Sequence, residues 1–172
     1  DYCGLLHWDG SMMGGCSWLW NPGMCQVGGN RERMLAALGR MAPGDMPDFD
    51  PGLKLALQGF NRVPTAAVKH MIVISDGDPS PPSGTVVNNL IKLKVTVSTV
   101  AVGAHGPAES GRLSDLARKT GGKYYQVNNP RALPRIFQRE ARRVAQPLIF
   151  ESQAGIIPRV RYPHEMLSGL ED

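Results

Sequence analysis

Apolar residues along this chain fall into two recurring patterns, short β-branched runs and longer stretches with helical spacing. Met71-Ile72-Val73-Ile74 is a continuous apolar run and predicts a strand buried on both faces. Val95 to Val102 (Val-Thr-Val-Ser-Thr-Val-Ala-Val) predicts a second, ended by Gly103. Tyr2 to Trp8 reads as another strand, Trp18-Leu19-Trp20 as a short edge strand, and Lys123 to Val127 as the last. Between them lie helical patterns. Arg31 to Met41 places Met34, Leu35, Leu38 and Met41 on one face, and Pro43-Gly44 stops it. Asp50-Pro51 opens the next, with Asp50 as N-cap and Pro51 at the first helical position. Gly84 to Lys92, Glu109 to Lys119 and Pro130 to Val144 complete the set. Leu133, Ile136, Phe137 and Val144 are predicted to face inward, and Thr120-Gly121-Gly122 ends the helix before them.

Strands alternating with helices over short connections specify an α/β domain: a doubly wound, Rossmann-like, mostly parallel sheet with helices on both faces. Ligands of such sheets bind outside the carboxyl ends of the strands. Ser75-Asp76-Gly77-Asp78-Pro79 and Gly103 to Gly106 are two such ends. The acidic loop Asp45 to Asp50 precedes a helix and can reach the same rim. The pattern predicts one domain over residues 1–147. Residues 148–172 read as a linker or the start of a further domain.

Composition narrows the function classes. The 172 residues carry a net charge of +4. Arg135, Arg139, Arg142 and Arg143 recur at helical spacing without aromatic interleaving apart from Phe137, which fits a solvated helix face better than a nucleic-acid surface. The chain has no apolar run long enough to span a membrane. Its three cysteines show neither CxxC nor Cys/His spacing, so the reading is three free thiols, with a Cys16–Cys25 bridge as the alternative. No Gly-x-x-x-x-Gly-Lys or dinucleotide fingerprint is present, and no nucleophile stands at a recognisable elbow.

From Met71 to Gly77 the chain resembles the fourth strand and following turn of a von Willebrand factor A domain. Val95–Gly103 is similar to its fifth strand. Leu116-Ala117 with Thr120-Gly121-Gly122-Lys123-Tyr124-Tyr125 is similar to its sixth helix and strand, and Leu133 with Ile136-Phe137 to its final helix. The resemblance implies a non-catalytic protein-interaction module. It also implies a divalent cation, Mg²⁺-like, held at the sheet rim by oxygen ligands from three loops. Asp76 matches the third loop. Gly44-Asp45-Met46-Pro47 occupies the second, with Met46 where a Thr stands in the family and Asp45 or Asp48 as substitutes. The first loop, an Asp-x-Ser-x-Ser turn after strand one, is absent, and Tyr2–Trp8 resembles strand two instead. Family strand order, 3-2-1-4-5-6, makes strand one central, so the chain reads as an N-terminally incomplete piece with a degenerate metal site. A closer resemblance, carried by Gly44–Phe49 and Ser75–Pro82, is to the A-type domain of large bacterial proteins. Those proteins join it to a glutamine-amidotransferase-like segment and often carry membrane helices, so the parent protein is expected to be membrane-associated.

The candidate metal ligands are therefore Asp76, Asp45 and Asp48. The candidate partner-binding rim is Ser75, Gly77, Asp78, Gly103 and His105. Two readings of Asp76 stay open, ligand or turn cap, since Asp-Gly turns commonly use the carboxylate to accept backbone N–H groups. The alternative function is a hydrolase or transferase on a related sheet, using Asp76 with His105.

Overall fold

A computed structural model describes residues 1–9, 15–42, 44–76, 78–103 and 106–145. The segment predicted as linker, 148–172, lies outside the described residues. The core is a three-stranded parallel sheet of β5 (Lys69–Ser75), β6 (Val95–Val102) and β7 (Tyr124–Val127), in that order. His70 is in register with Thr96, Ile74 with Val100, and Val100 with Tyr125. β6 is central, and Val95, Val97, Val100 and Ala101 are all at most 1% exposed, as its β-branched run predicts.

Alternate residues of a strand face opposite layers. Met71, Val73, Val95, Val97 and Ala101 join the main core with α2 (Asp50–Asn61), α3 (Gly84–Lys92) and α4 (Pro107–Thr120). Phe49, Leu53, Leu57, Phe60, Leu90 and Leu113 are its larger members. Thr99 Oγ1 donates to Leu113 O at 2.8 Å, and Thr120 Oγ1 accepts from Val97 N at 3.1 Å, so both buried hydroxyls are satisfied by the strand–helix contact. Gly121, at φ +76°, ends α4 in the left-handed conformation that glycine adopts without a Cβ penalty. On the other face α5 (Leu133–Ala145) docks, preceded by a 3-10 turn at Pro130–Ala132 that replaces the predicted first helical turn.

The N-terminal third departs from the expectation. Tyr2–Trp8 is not one strand. It breaks at Gly4-Leu5 into β1 (Tyr2–Cys3) and β2 (Leu6–Trp8). β1 pairs antiparallel with β4 (Cys25–Gln26), and β2 with β3 (Cys16–Trp18). Gly4 lies at the break, where a Cβ would meet the Trp18 ring at 2.6 Å. Among the described residues no ladder joins β2 to β5.

The β2–β3 ribbon instead rests on α2. Cβ atoms on Gly52 and Gly59, seven residues apart on one helix face, would meet the rings of Trp8 at 2.4 Å and Trp18 at 2.9 Å. The two indoles thus lie directly against a glycine-lined stripe. Trp20, expected with Trp18 as an edge pair, is 7% exposed and packs with Met34 and Ala37 of α1 (Arg31–Leu38). Leu35, Leu38 and Met41, predicted to share the inward face with Met34, are 56%, 45% and 53% exposed. Only Met34 and Ala37 of this short helix find a partner surface. Phe137, also predicted to face inward, is 38% exposed, and the fully buried residue of α5 is Glu140.

The cysteines are free. Cys16 stands opposite Trp8 and Cys25 opposite Cys3, so the ribbons do not bring Cys16 and Cys25 together.

Candidate functional site

The rim lies at the carboxyl ends of β5 and β6. Ser75, the last residue of β5, is buried, and Asp76 and Asp78 beyond it are exposed. Asp76 Oδ1 accepts from Ser75 Oγ and from Asp78 N, each at 3.3 Å. This is the turn-capping geometry, with the carboxylate folded back on its own loop. Gly77 and His105 lie outside the described residues, so the pairing of Asp76 with His105 is not part of the described geometry. Gly103, at φ +67°, donates its N–H to Val127 O at 3.0 Å and closes the β6 end against β7.

The structure does bring two of the predicted loops together. Asp48 forms an isolated parallel bridge with Ser80, and Ser80 N donates to Pro47 O at 3.0 Å. Asp48 Oδ1 accepts from Asp50 N at 2.8 Å, at the start of α2. Asp50 is not the cap of its own helix. Its Oδ1 accepts from Ser83 N at 2.8 Å, and its Oδ2 lies 3.3 Å from Lys54 Nζ. Burial pushes the Asp50 carboxyl upward, but the Ser83 bonds and Lys54 outweigh it and hold the group below the usual carboxylate range. The segments 47–50 and 80–83 are thus stitched into one ridge. Arg112 of α4 completes it, its Nη1 donating to Asp78 O at 3.4 Å and Pro79 O at 3.3 Å. Neither Arg112 nor the Asp50–Ser83 bond was legible beforehand, because the partners are more than 30 residues apart.

A divalent cation needs several oxygens converging on one point. Among the described residues no three His, Cys, Asp or Glu side chains do so. Asp76 and Asp48 accept from neighbouring groups of their own loops, and Asp45 is exposed. Met46, at the position of the family Thr, is partly buried against the main core as an apolar anchor. A guanidinium also sits on the carbonyls of the third loop. The described donor set does not fit the three-loop cation site.

The densest polar constellation lies elsewhere, buried between α5 and the sheet. Glu140 has no solvent exposure. It accepts from Ser98 Oγ at 2.5 Å, Tyr125 OH at 2.5 Å and Arg143 Nη1 at 3.1 Å. His70 Nε2 lies 3.0 Å from Glu140 Oε2 but off the direction a hydrogen bond requires, so that contact is electrostatic. His70 Nδ1 is 2.7 Å from Thr96 Oγ1. Burial pushes Glu140 upward, yet the bonds from Ser98, Tyr125 and Arg143 together hold it at about 2. Burial lowers His70, Glu140 opposes this, and Arg143 adds to the lowering. The only sequence signal for this cluster was the polar pair Thr96 and Ser98 on one face of an otherwise apolar strand.

Comparisons with known proteins agree with this architecture. The family model described as von Willebrand factor type A domain matches residues 26–139. A von Willebrand factor type A protein from Catenulispora acidiphila superposes with a TM-score of 0.65 at 17% identity, over 81% of this chain and 33% of that one. The conserved hypothetical protein BatB from Bacteroides thetaiotaomicron gives 0.52 at 14% identity, over 84% and 80%. The chain therefore spans a third of the Catenulispora protein. A comparison with curated proteins finds no match. Among the described residues no helix is long and apolar enough to cross a membrane. With a matched segment covering most of the described residues and an α/β fold shared with these structures, the chain belongs to the von Willebrand factor type A domain family.

Proposed function

We propose that this domain is a non-catalytic module that binds another protein through the rim formed by Asp45, Asp76, Asp78 and the Gly103 turn. Domains of this family are in general interaction modules. The observation that carries the reading here is the ridge in which Asp48–Ser80 pairing, the Asp50–Ser83 bond and Arg112 fix two loops against each other. A pre-organised loop surface loses little freedom on binding. It presents exposed carboxylates at Asp45, Asp76 and Asp78, which suit a partner segment carrying basic or N–H donor groups. In this reading a divalent cation is dispensable, because Asp76 and Asp48 already have local donors.

Two measurements test it. Adding Mg²⁺ or Mn²⁺ should leave the melting temperature unmoved. A cation bound to the native rim at a hundred times its dissociation constant would add about 2.7 kcal/mol, and a rise abolished by Asp76→Ala would restore the metal-dependent reading. Proteins co-purifying with the domain should be lost from Asp45→Ala/Asp76→Ala/Asp78→Ala and kept by Lys92→Ala, which lies at the far end of the strands. Retention by the triple variant would sink the rim assignment.

A further inference from the structure

We propose that Cys3 and Cys25 are a redox-responsive pair that closes into a cross-strand disulfide, clamping the N-terminal strand to the segment that leads into α1. The two residues are direct partners in the antiparallel β1–β4 ribbon. Directly opposed residues project to the same face with Cα atoms roughly 4.5–5.5 Å apart. A disulfide spans Cα separations of about 4.4–6.8 Å. The Cα separation of an opposed pair falls inside that range.

The neighbourhood supports the same assignment. Val27 N donates to Asp1 O at 3.0 Å, and Gln26 Nε2 to Tyr2 OH at 3.3 Å, holding the register on the side of the ribbon next to the cysteines. Arg33 Nη2 of α1 reaches Cys25 Sγ at 3.7 Å, a weak contact that fixes the sulfur's position. Cys3 is exposed as a residue, so an oxidant can reach it. Its thiol is pushed up first by partial burial of the sulfur and then by the nearby Cys25, as two adjacent sulfurs require. Cys16 has no cysteine facing it. It sits opposite Trp8 in the other ribbon, against Gly52 of α2, and burial together with Asp9 pushes its thiol up to about 11.

The chemistry is thiol–disulfide exchange with a small-molecule disulfide such as oxidised glutathione. One cysteine thiolate attacks the glutathione disulfide, forming a mixed disulfide and releasing one glutathione thiolate. The second cysteine thiolate attacks the protein sulfur of that mixed disulfide and releases the other glutathione. One S–S bond breaks and one forms. The two cysteine protons end on the two glutathione thiolates, and the protein dithiol is oxidised as glutathione disulfide is reduced. The gain is mechanical: β1 and β4 have two residues each, and an isolated two-stranded ribbon is marginal in water.

The purified protein should be incubated with oxidised glutathione and, separately, with dithiothreitol. Titratable thiols should fall from three to one in the first and remain three in the second. Cyanogen bromide cleaves after Met12, Met13, Met24 and Met34 and so places each cysteine in its own fragment. Fragment 1–12 should be linked to fragment 25–34 without reduction. The melting temperature should rise by roughly 6–10 °C on oxidation, and neither the rise nor the link should form in Cys3→Ser or Cys25→Ser, while Cys16→Ser keeps both. Three free thiols after oxidation, a link to the fragment carrying Cys16, or a disulfide between two copies of the protein would each overturn the assignment.

Discussion

At the residue scale, close approach of backbone to backbone sets the strictest requirement. A Cβ on Gly122 would lie 2.0 Å from Val97 O. No side chain can rotate away there, because the obstacle is the carbonyl of the central strand. Gly122→Ala must push β6 and the β7 entry apart. Overpacking of this kind costs about 1–3 kcal/mol, and the rigid neighbour places the expected loss near 3 kcal/mol, read as a lowered midpoint in urea. An unchanged midpoint would show that the strand entry yields freely. At the same scale Asp76 shows the geometry of a turn cap. Its carboxylate caps its own turn, through bonds from Ser75 Oγ and Asp78 N. The residue type and its place after an apolar strand were legible in the sequence, but β5 is the half-exposed edge of the sheet, with Ile74 41% exposed, and not the doubly buried strand its apolar run predicts. The direction of the Asp76 oxygens was not legible, because local turn bonds and cation ligation use the same atoms.

At the element scale, α5 is held unlike the others. α2, α3 and α4 bury apolar residues against the sheet. Among the described residues of α5, Glu140 alone is fully buried, and it carries bonds from β6, β7 and its own helix. Removing one member of a buried, charge-assisted network leaves the rest unpaired. Glu140→Ala is therefore expected to cost about 3 kcal/mol and to release α5 selectively. Hydrogen exchange should show faster exchange in 133–145 than in β6. Equal protection of α5 in the variant and the parent would mean that apolar contacts at Leu133 and Ile136 hold the helix. The N-terminal ribbons are a second special case. The β2–β3 ribbon takes its place from Trp8 and Trp18 on the glycine stripe of α2, not from strand pairing with the main sheet. Periodicity in the sequence located those strands roughly, but the helix on which β2 and β3 rest is distant in the chain.

At the scale of the whole molecule, acid is the condition to which this fold is most exposed. Glu140 is held at about 2 in the folded chain against 4.5 in an open one. Its contribution is thus fully present above about pH 4.5 and is lost as pH falls toward 2, on the order of 3 kcal/mol. His70 is also lowered in the folded state, from 6.5. For a group of that kind the stabilisation is present above 6.5 and lost as pH falls through its folded value, because the buried ring must take up a proton on unfolding. Both groups act in the same direction. The melting temperature should be flat above about pH 7 and fall in two stages, the first from His70 and the second from Glu140. Scanning calorimetry from pH 8 to pH 3 checks this. In Glu140→Gln the second stage should flatten. A melting temperature that rises on acidification would contradict the buried network.

The sequence by itself determined the α/β class, the helices from Asp50 onward, the strands at Met71–Ser75 and Val95–Val102, and the family. Those features are written in local periodicity, in β-branched runs and in Gly and Pro punctuation, which act over a few residues. Only the tertiary structure decided that Asp50 bonds Ser83 across the rim, that Glu140 turns inward and draws Arg143 from the arginine face to it, that Trp8 and Trp18 lie on glycines of α2, and that Cys25 stands opposite Cys3. Each of these joins residues remote in the chain. Their energies come from desolvating a specific pair in a specific geometry, and that geometry exists only once the layers have packed.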